Sequence, residues 1–262
     1  MSKIESYPPG VFCWADLMTA DTAAAKHFYG EMFGWSSVDI PAPDGAYTLF
    51  QLGGDDVAGM LPARPGMPNC WNVHFSVTSA DEMAAKVVAG GGKILNGPFD
   101  AMDAGRMAVA QDPQGAVFCV WQARKHPGAT YAGALGRVVW PELATTDAGG
   151  AAKFYKGLFG WGTKPETGVE SAPYTEWLPA PPLAGHAIAG MIPMNGPQWA
   201  GIPPHWNCYV TVANCDQSAA KATQLGATLY VQPTDVPNVG RFAVVADPQR
   251  AVICIIQMNA TN

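Results

Sequence analysis

Two side chains of this sequence are suited to acid–base chemistry, His74 and Asp16, and each stands in a segment rich in apolar residues. A carboxylate that orients an imidazole is the usual arrangement for a general base. His74 could instead make structural hydrogen bonds inside a sheet, and one histidine alone distinguishes weakly between the two roles. The second half of the chain carries Tyr209 at the position that matches His74, which favours the structural role.

Cys119 is a candidate nucleophile, with His74 expected on a neighbouring strand. A nucleophilic thiol needs a lowered pKa, and nothing in the sequence indicates one. The six cysteines are scattered over a long chain, mostly inside apolar runs, and no C-x-x-C spacing is present. We therefore expect small buried thiols in a reducing compartment.

Two arginines, Arg106 and Arg241, precede apolar strands at matching positions of the two halves. They could anchor an anionic ligand at the mouth of a cleft, or they could pair with Asp112 and Asp247. A glycine-rich phosphate loop is not predicted, because glycines 90–92 follow a helix and do not open one.

An internal repeat reveals the elements that must position these side chains. The segment Trp14–Trp35 returns as Trp140–Trp161 with ten of 22 aligned residues identical, which chance does not produce. Such a duplication predicts two similar domains. We place them at residues 1–124 and 137–262, joined by a linker at 125–136 that contains glycine and proline and has no periodicity.

Each domain is predicted to contain two strand–helix–strand–strand–strand units. In the first unit, Asp21 or Thr22 caps the helix and Gly34 ends it. In the second unit, the helix begins at Asp81, which also caps it. Trp35 and Trp161 are expected in the core or at a contact between domains. The four units span about residues 11–61, 69–122, 137–192 and 204–258.

This pattern resembles the vicinal-oxygen-chelate superfamily, which holds glyoxalase I, bleomycin-resistance proteins and extradiol dioxygenases. The Phe-Tyr pair in the first helix, the Phe-Gly-Trp at its end and the Asp112-Pro-Gln before the last strand carry the resemblance, and all three recur in the second half. The resemblance extends over nearly the whole chain and is strongest to bacterial tandem glyoxalase-like proteins. It implies an α+β fold, in which two units per domain form one cupped, mixed and mainly antiparallel sheet with helices outside and a ligand cleft inside.

In metal-dependent members of that superfamily, His, Glu or Gln ligands stand on the first and last strands of each unit. Three of these four positions are occupied by Trp14, Asn72 and Cys119 in the first half and by Trp140, Asn207 and Cys254 in the second. The fourth position, near residues 57–60, offers no carboxylate in its strand interior. Because an indole cannot ligate a metal and an amide is a poor sole anchor, we expect no metal and no other cofactor. Cys119 with His74 could in principle hold a soft ion.

If those positions face the cup, the period-two alternation of strands identifies its other lining residues. Such a lining, with an indole, an acid and an amide in each half, suits a planar or aromatic molecule held by stacking and a few hydrogen bonds. We predict ligand binding by Arg106, Arg241 and most of this lining. The lining comprises Trp14, Asp16, Asn72, His74, Ser76, Val117, Cys119 and Trp121, and in the second half Trp140, Glu142, Asn207, Tyr209, Thr211, Val252, Cys254 and Ile256.

The composition excludes two classes of partner. The net charge is −6, the pI is about 5.3 and no run of Lys or Arg occurs, so the attraction that drives binding to nucleic acids or anionic membranes is missing. The first residues lack a signal-peptide pattern, and no run of about 20 apolar residues occurs. We therefore expect a cytoplasmic protein with a small-molecule ligand, and homodimerisation is left open.

The function predicted is binding of a small planar or aromatic molecule in the sheet cleft, without the metal of the superfamily. A first alternative is a metal-independent lyase, isomerase or hydroxylase-like enzyme that uses His74 and Asp16. A metal-dependent glyoxalase or dioxygenase is the second alternative, and a structural or partner-binding tandem domain is the third.

Overall fold

The computed structural model describes residues 3–42, 45–130, 135–165, 174–181 and 186–259. Within these residues, each half of the chain forms its own sheet of eight strands. The predicted α+β architecture of two tandem domains is therefore confirmed. No helix in the described ranges is long and apolar enough to cross a membrane.

The first domain follows the predicted order of two strand–helix–strand–strand–strand units. Its sheet has the strand order β2-β3-β4-β1-β5-β8-β7-β6. The elements are β1 (Phe12–Thr19), α1 (Thr22–Phe33), β2 (Ser36–Ala42), β3 (Gly45–Leu52), β4 (Asp55–Pro62), β5 (Cys70–Ser76), α2 (Ala80–Ala89), β6 (Lys93–Ala101), β7 (Gly105–Gln111) and β8 (Val117–Ala123).

The second domain repeats this order in the sheet β10-β11-β12-β9-β13-β16-β15-β14. Its extra proline-rich residues lie partly outside the described ranges, and a short 3-10 helix, Pro197–Trp199, precedes β13. The elements are β9 (Val138–Thr145), α3 (Ala148–Phe159), β10 (Gly162–Pro165), β11 (Thr175–Leu178), β12 (Ala189–Pro193), β13 (His205–Thr211), α4 (Cys215–Gln224), β14 (Thr228–Val236), β15 (Gly240–Ala246) and β16 (Val252–Met258).

The two units of each domain meet at the centre of its sheet. There β1 pairs antiparallel with β5, while β4 and β8 add parallel strands on either side. The second domain repeats this with β9 against β13, flanked by β12 and β16. The side chains of these four central strands therefore face one another across short distances.

The helix ends follow the sequence closely in the first unit of each domain. The carboxylate of Asp21 accepts from the Ala24 amide at the start of α1, and Gly34 ends this helix in the left-handed region at φ 72°. Asp147 caps α3 in the same way. A short polar side chain at this position satisfies an amide that the helix leaves unpaired.

The predicted cap of α2 is wrong. The helix begins at Ala80, and the hydroxyl of Ser79 accepts from the Glu82 amide. Ser79 has the extended backbone of a cap residue, whereas Asp81 already lies within the first turn. The Asp81 carboxylate there forms an ion pair with Arg106.

The helix-facing sides of the two sheets contribute to one core that both domains share. Trp35 and Trp161 belong to it with 4% and 1% of their surface exposed, which confirms their predicted burial. The Tyr29 hydroxyl of α1 donates to Asp247 in the other domain, and Tyr155 of α3 donates to Asp112. Each domain thus supplies a buried tyrosine to a turn of its partner domain.

Candidate functional site

The functional side chains lie on the sheet faces that point away from the shared core. Alternation along the central strands sends Ala15, Leu17 and Val73 into that core and sends the polar residues between them to the opposite face. We call this opposite face cup 1 in the first domain, on strands β1, β4, β5 and β8. We call it cup 2 in the second domain, on strands β9, β12, β13 and β16.

Asp16 is the centre of a hydrogen-bond network in cup 1. Its carboxylate contacts the Nε2 atom of His74 at 3.0 Å and accepts from Asn72 Nδ2 at 2.9 Å. The Tyr47 hydroxyl donates to it at 3.4 Å, and Trp14 Nε1 donates to Tyr47 at 2.8 Å. Four residues predicted from the sequence are thus brought together, and Tyr47 is a fifth that the prediction missed.

The electrostatics of cup 1 favour an ion pair. Burial by itself would raise the pKa of Asp16, but the charge of His74 and the hydrogen bonds from its neighbours outweigh burial and hold this pKa below 3.8. Burial would lower the pKa of His74, but Cys119 and Asp16 outweigh it and raise this pKa well above 6.5. Both residues are almost fully buried, so cup 1 holds a carboxylate whose charge an imidazolium already neutralises.

Cys119 stands next to His74 as its partner in the parallel register of β5 and β8. The Nδ1 atom of His74 is buried, and Cys119 is the side chain besides Asp16 that hydrogen-bonds with this ring. Cys119 itself is 1% exposed. The predicted neighbourhood of this thiol and imidazole is therefore present, but it lies beneath the surface of the cup. All six cysteines are free thiols, and five of them are buried.

A segment that follows β8, together with residues near the start of the chain, covers the end of cup 1 at which Trp14 and Trp121 lie. The ring of His126 meets Trp14 edge to face with centroids 4.6 Å apart, and Trp121 Nε1 donates to the His126 carbonyl. The Ala129 amide donates to the Cys13 carbonyl, and the Tyr7 hydroxyl donates to the Ala129 carbonyl. As a result, Trp14 is only 5% exposed.

A β-bulge lies at this covered end of the cup. The register between β1 and β5 shifts between Phe12 and Trp14, so Cys13 is an additional residue of β1 that has no paired residue in β5. Cys13 accordingly packs on the same side as Trp14 and Trp121. The second domain has the same shift at Val139. Bulges are frequent beside functional sites, where they redirect a side chain.

Cup 2 has a different polar network around Glu142. The hydroxyls of Tyr209 and Tyr174 hydrogen-bond with this carboxyl, the former at 2.8 Å. Trp140 Nε1 donates to the Tyr174 hydroxyl at 3.0 Å. Burial raises the pKa of Glu142 above 4.5 despite the two phenols, which lower it. This acid has no imidazole corresponding to His74.

Trp140 differs from Trp14 in its surroundings. Its side chain is half-buried, and among the described residues no aromatic ring stacks on it. The apolar side chains that line this part of cup 2 all come from strands of the same sheet or its β14–β15 turn, and they include Val139, Phe242 and Val244. The described residues contain no counterpart of His126 over Trp140.

Glycines at matching positions make room for the two tyrosines. A Cβ atom on Gly59 of β4 would overlap the Tyr47 hydroxyl and lie 3.0 Å from Trp14 Nε1. A Cβ atom on Gly190 of β12 would overlap the Tyr174 hydroxyl in the same way. The sequence carries a signal for this arrangement, because Val-Ala-Gly-Met-Leu-Pro at 57–62 returns as Ile-Ala-Gly-Met-Ile-Pro at 188–193.

The residues in the cups do not fit the metal of the superfamily. The four candidate positions of cup 1 hold Trp14, Gly59, Asn72 and Cys119, and the Asn72 amide donates to Asp16. Cup 2 repeats this set with Trp140, Gly190, Asn207 and Cys254. Within the described ranges, no three His, Cys, Asp or Glu side chains converge as metal ligands would.

Arg106 and Arg241 have partners other than those considered from the sequence. Arg106 makes two hydrogen bonds to Asp81 and one to Asp100. Arg241 repeats the pattern with Asp216 and Asp235. Of the two alternatives for these arginines, the pairing with Asp112 and Asp247 is wrong, because those carboxylates instead accept backbone amides of their own turns.

A cavity of about 790 Å³ lies beside the covered end of cup 1. Tyr7, Asp56, Ser76, His126 and Lys125 are among its lining residues. The network of Asp16 and His74 does not contribute to this lining. Of the predicted cup residues, only Ser76 reaches this cavity.

Comparisons with known proteins agree with this architecture. Residues 12–120 match the model of the glyoxalase/bleomycin resistance protein/dioxygenase superfamily, and residues 140–256 match that of a glyoxalase-like domain. The chain is 38% identical to a Mycobacterium tuberculosis protein named "Putative glyoxylase CFP32", over 98% of each chain.

Two further similarities bear on the family and the fold. The chain is 32% identical to "Anthracycline biosynthesis protein DnrV" of Streptomyces peucetius, over 96% of this chain and 94% of that protein. Among solved structures, the Mn(II)-bound glyoxalase from Novosphingobium aromaticivorans superposes with a TM-score of 0.65 at 17% identity. The superposition covers 95% of this chain and 82% of the other, and at this identity it indicates the fold alone.

Proposed function

This chain belongs to the glyoxalase/bleomycin resistance protein/dioxygenase superfamily, and from that premise we propose that it binds a small planar aromatic molecule in cup 2, without a metal. The ligand stacks on Trp140 and makes hydrogen bonds to the polar groups around Glu142. Cup 1, with the same scaffold, is covered by the chain's own residues and serves a structural role.

The observation that carries this proposal is the fixed orientation and partial exposure of the Trp140 indole. Its N–H is fixed by Tyr174, so the indole has a defined orientation, and its half-buried ring has no aromatic partner among the described residues. A flat, oriented and unstacked indole beside a few polar groups is a typical surface for an aromatic ligand. Trp14 in cup 1 lacks this property because His126 covers it.

The side chains at the candidate ligand positions of the cups support binding without a metal. Tryptophan and glycine supply no ligand atom from their side chains, and the amide of Asn72 already serves Asp16. The name of one relative, an anthracycline biosynthesis protein, is compatible with a polycyclic aromatic ligand.

The proposal is tested on a panel of planar aromatic compounds, both neutral and charged, whose binding is measured by thermal shift and by titration calorimetry. We expect Trp140→Ala to weaken binding about tenfold or more, since lost stacking is worth about 1 kcal/mol beyond lost contact area. Trp14→Ala is the matched control and should leave the affinity unchanged. If no compound raises the melting temperature, the cups are filled structural elements and the proposal fails.

A second candidate function rests on the His74–Asp16 pair of cup 1. The His74 imidazole, beside Cys119, could exchange a proton with a substrate while Asp16 orients it. Such a metal-independent enzyme would need the cover of His126 to open. Turnover of any superfamily substrate that disappears in His74→Gln while ligand affinity persists would favour this candidate.

A further inference from the structure

We infer that the ligand of cup 2 carries a protonated amine or a similar organic cation, and that Glu142 is its counter-ion. This inference rests on the proposed function, because it assigns a chemical class to the ligand of the same cup. It concerns the Glu142 carboxyl, for which the described part of cup 2 supplies no compensating charge.

The hydrogen bonds around Glu142 define its role as an acceptor. A phenol has one proton to donate. The Tyr174 oxygen accepts from Trp140 Nε1, and its hydroxyl also hydrogen-bonds with the Glu142 carboxyl. Tyr209 donates to the same carboxyl at 2.8 Å. Glu142 is thus organised by two neutral donors, which suit the carboxylate form.

No cationic side chain of the described residues compensates Glu142. Its pKa is affected by burial and by the hydrogen bonds of two phenols, and by no Lys, Arg or His side chain. Asp16, at the matching position of cup 1, has the imidazole of His74 at 3.0 Å. The replacement of His74 by Tyr209 therefore removes the internal cation and keeps the hydrogen bond.

An isolated carboxylate in a buried site is costly unless a positive charge joins it. Burial accordingly raises the pKa of Glu142, and a bound cation would offset this cost. The aromatic side chains of cup 2 add to the attraction, since tryptophan and tyrosine faces bind organic cations. Trp140, Tyr174 and Tyr209 all belong to the Glu142 network, and the ring of Phe242 lies 6.2 Å from that of Tyr209.

The net charge of −6 has the same sign as this site. An acidic protein concentrates cations near its surface and accelerates their association. Cup 1 would show no such preference, because its carboxylate and imidazole compensate each other.

The test uses three naphthalene derivatives of nearly equal size, which carry an aminomethyl, a hydroxymethyl or a carboxylate group. Affinities are measured by titration calorimetry at neutral pH for the wild-type protein and for Glu142→Gln. Glu82→Gln is the matched control, because it removes one negative charge from an exposed position on α2 of the other domain.

We expect the aminomethyl compound to bind the wild-type protein at least tenfold more tightly than the hydroxymethyl compound, and the carboxylate to bind most weakly. In Glu142→Gln the advantage of the amine should fall by about 10- to 100-fold, as expected for the loss of a hydrogen bond to a charged group. Glu82→Gln should retain the advantage.

The inference is overturned if the amine binds no better than the alcohol, or if its advantage survives in Glu142→Gln. Binding of the alcohol in either case would leave the proposed function standing, so the two ideas fail separately. Absence of binding for all three compounds would overturn this inference, while the broader aromatic panel decides on the proposed function. Melting temperatures of both variants establish that each is folded.

Discussion

Cup 1 and cup 2 are built on two eight-stranded sheets of matching strand order, yet the buried acids at their matching positions have opposite pKa shifts. Asp16 faces an imidazole and holds a lowered pKa, whereas Glu142 faces two phenols and holds a raised one. Trp14 is covered by His126, and Trp140 is half-buried without an aromatic partner among the described residues. Among the described residues, cup 1 supplies a charged partner for its acid and a ring against its indole, whereas cup 2 supplies neither.

The largest effect on stability should come from removing the acid of cup 1, and removal of the acid of cup 2 is its comparison. Asp16→Asn leaves a buried imidazolium without its partner, and we expect it to lower the free energy of unfolding by about 3 kcal/mol. Glu142→Gln keeps the hydrogen bond with Tyr209 and removes a charge that burial disfavours, so it should change stability by no more than about 1 kcal/mol. Urea unfolding at pH 6 measures both values, and equal losses would contradict the contrast.

Substitution of Gly59 and Gly190 tests a feature that the two cups share, the packing of a tyrosine hydroxyl against a glycine. Gly59→Ala and Gly190→Ala place a methyl group where a tyrosine hydroxyl lies, so each should cost about 1–3 kcal/mol through overpacking. The control is Gly157→Ala in α3, where an added Cβ meets nothing within 4 Å. This change should stabilise by about 0.5–1 kcal/mol. Thermal unfolding that gives all three variants the same sign would refute the role of the glycines.

The pH dependence of stability should separate the cups further. The pKa of His74 is raised in the folded protein, so the stability it contributes is fully present below pH 6.5 and is lost as pH rises through the folded-state pKa. In His74→Tyr, which copies cup 2, this decline should vanish. The difference in unfolding free energy between wild type and variant should shrink by up to about 1.4 kcal/mol per pH unit above pH 6.5.

The opposite exchange completes that comparison. Tyr209→His places an imidazole beside Glu142 and should introduce into cup 2 the decline that His74→Tyr removes from cup 1. Unfolding free energies between pH 5 and pH 9 provide the measurement. If the stability of this variant does not change between pH 5 and pH 9, a histidine at the matching strand position is not sufficient to form the ion pair.

The smallest effect concerns the cover of cup 1. His126→Ala removes the ring that lies edge to face with Trp14, and it should cost about 1 kcal/mol or less of stability. It should also expose the indole of Trp14 to solvent. In protein labelled with fluorotryptophan, the resonance assigned through Trp14→Phe should gain a solvent isotope shift, while that of Trp140 stays unchanged. If the Trp14 resonance does not change, Tyr7 and Ala129 shield the indole from solvent and the His126 ring does not.

Several features of the site could not be predicted because they depend on contacts between distant segments. Alternation along β1 predicts Trp14 and Asp16 on one face, but the bulge brings Cys13 to the same side, and a bulge has no reliable signature in one strand. Arg106 could reach several carboxylates, and its choice of Asp81 and Asp100 follows from the register of β6 with β7 and from the position of α2. Tyr47 was overlooked although its glycine neighbour lies in a repeated hexapeptide.

The sequence by itself determined the duplication, the four-unit fold, the buried tryptophans of the core and the identity of the polar residues on the inner faces, because all of these follow from local patterns that recur. Only the tertiary structure decided which indole is covered by a histidine ring, which acid has a charged partner and which tyrosine fills the space beside a glycine. Those outcomes depend on the spatial meeting of strands and loops far apart in the chain, where a difference of one side chain, His74 against Tyr209, changes the electrostatics of an otherwise repeated site.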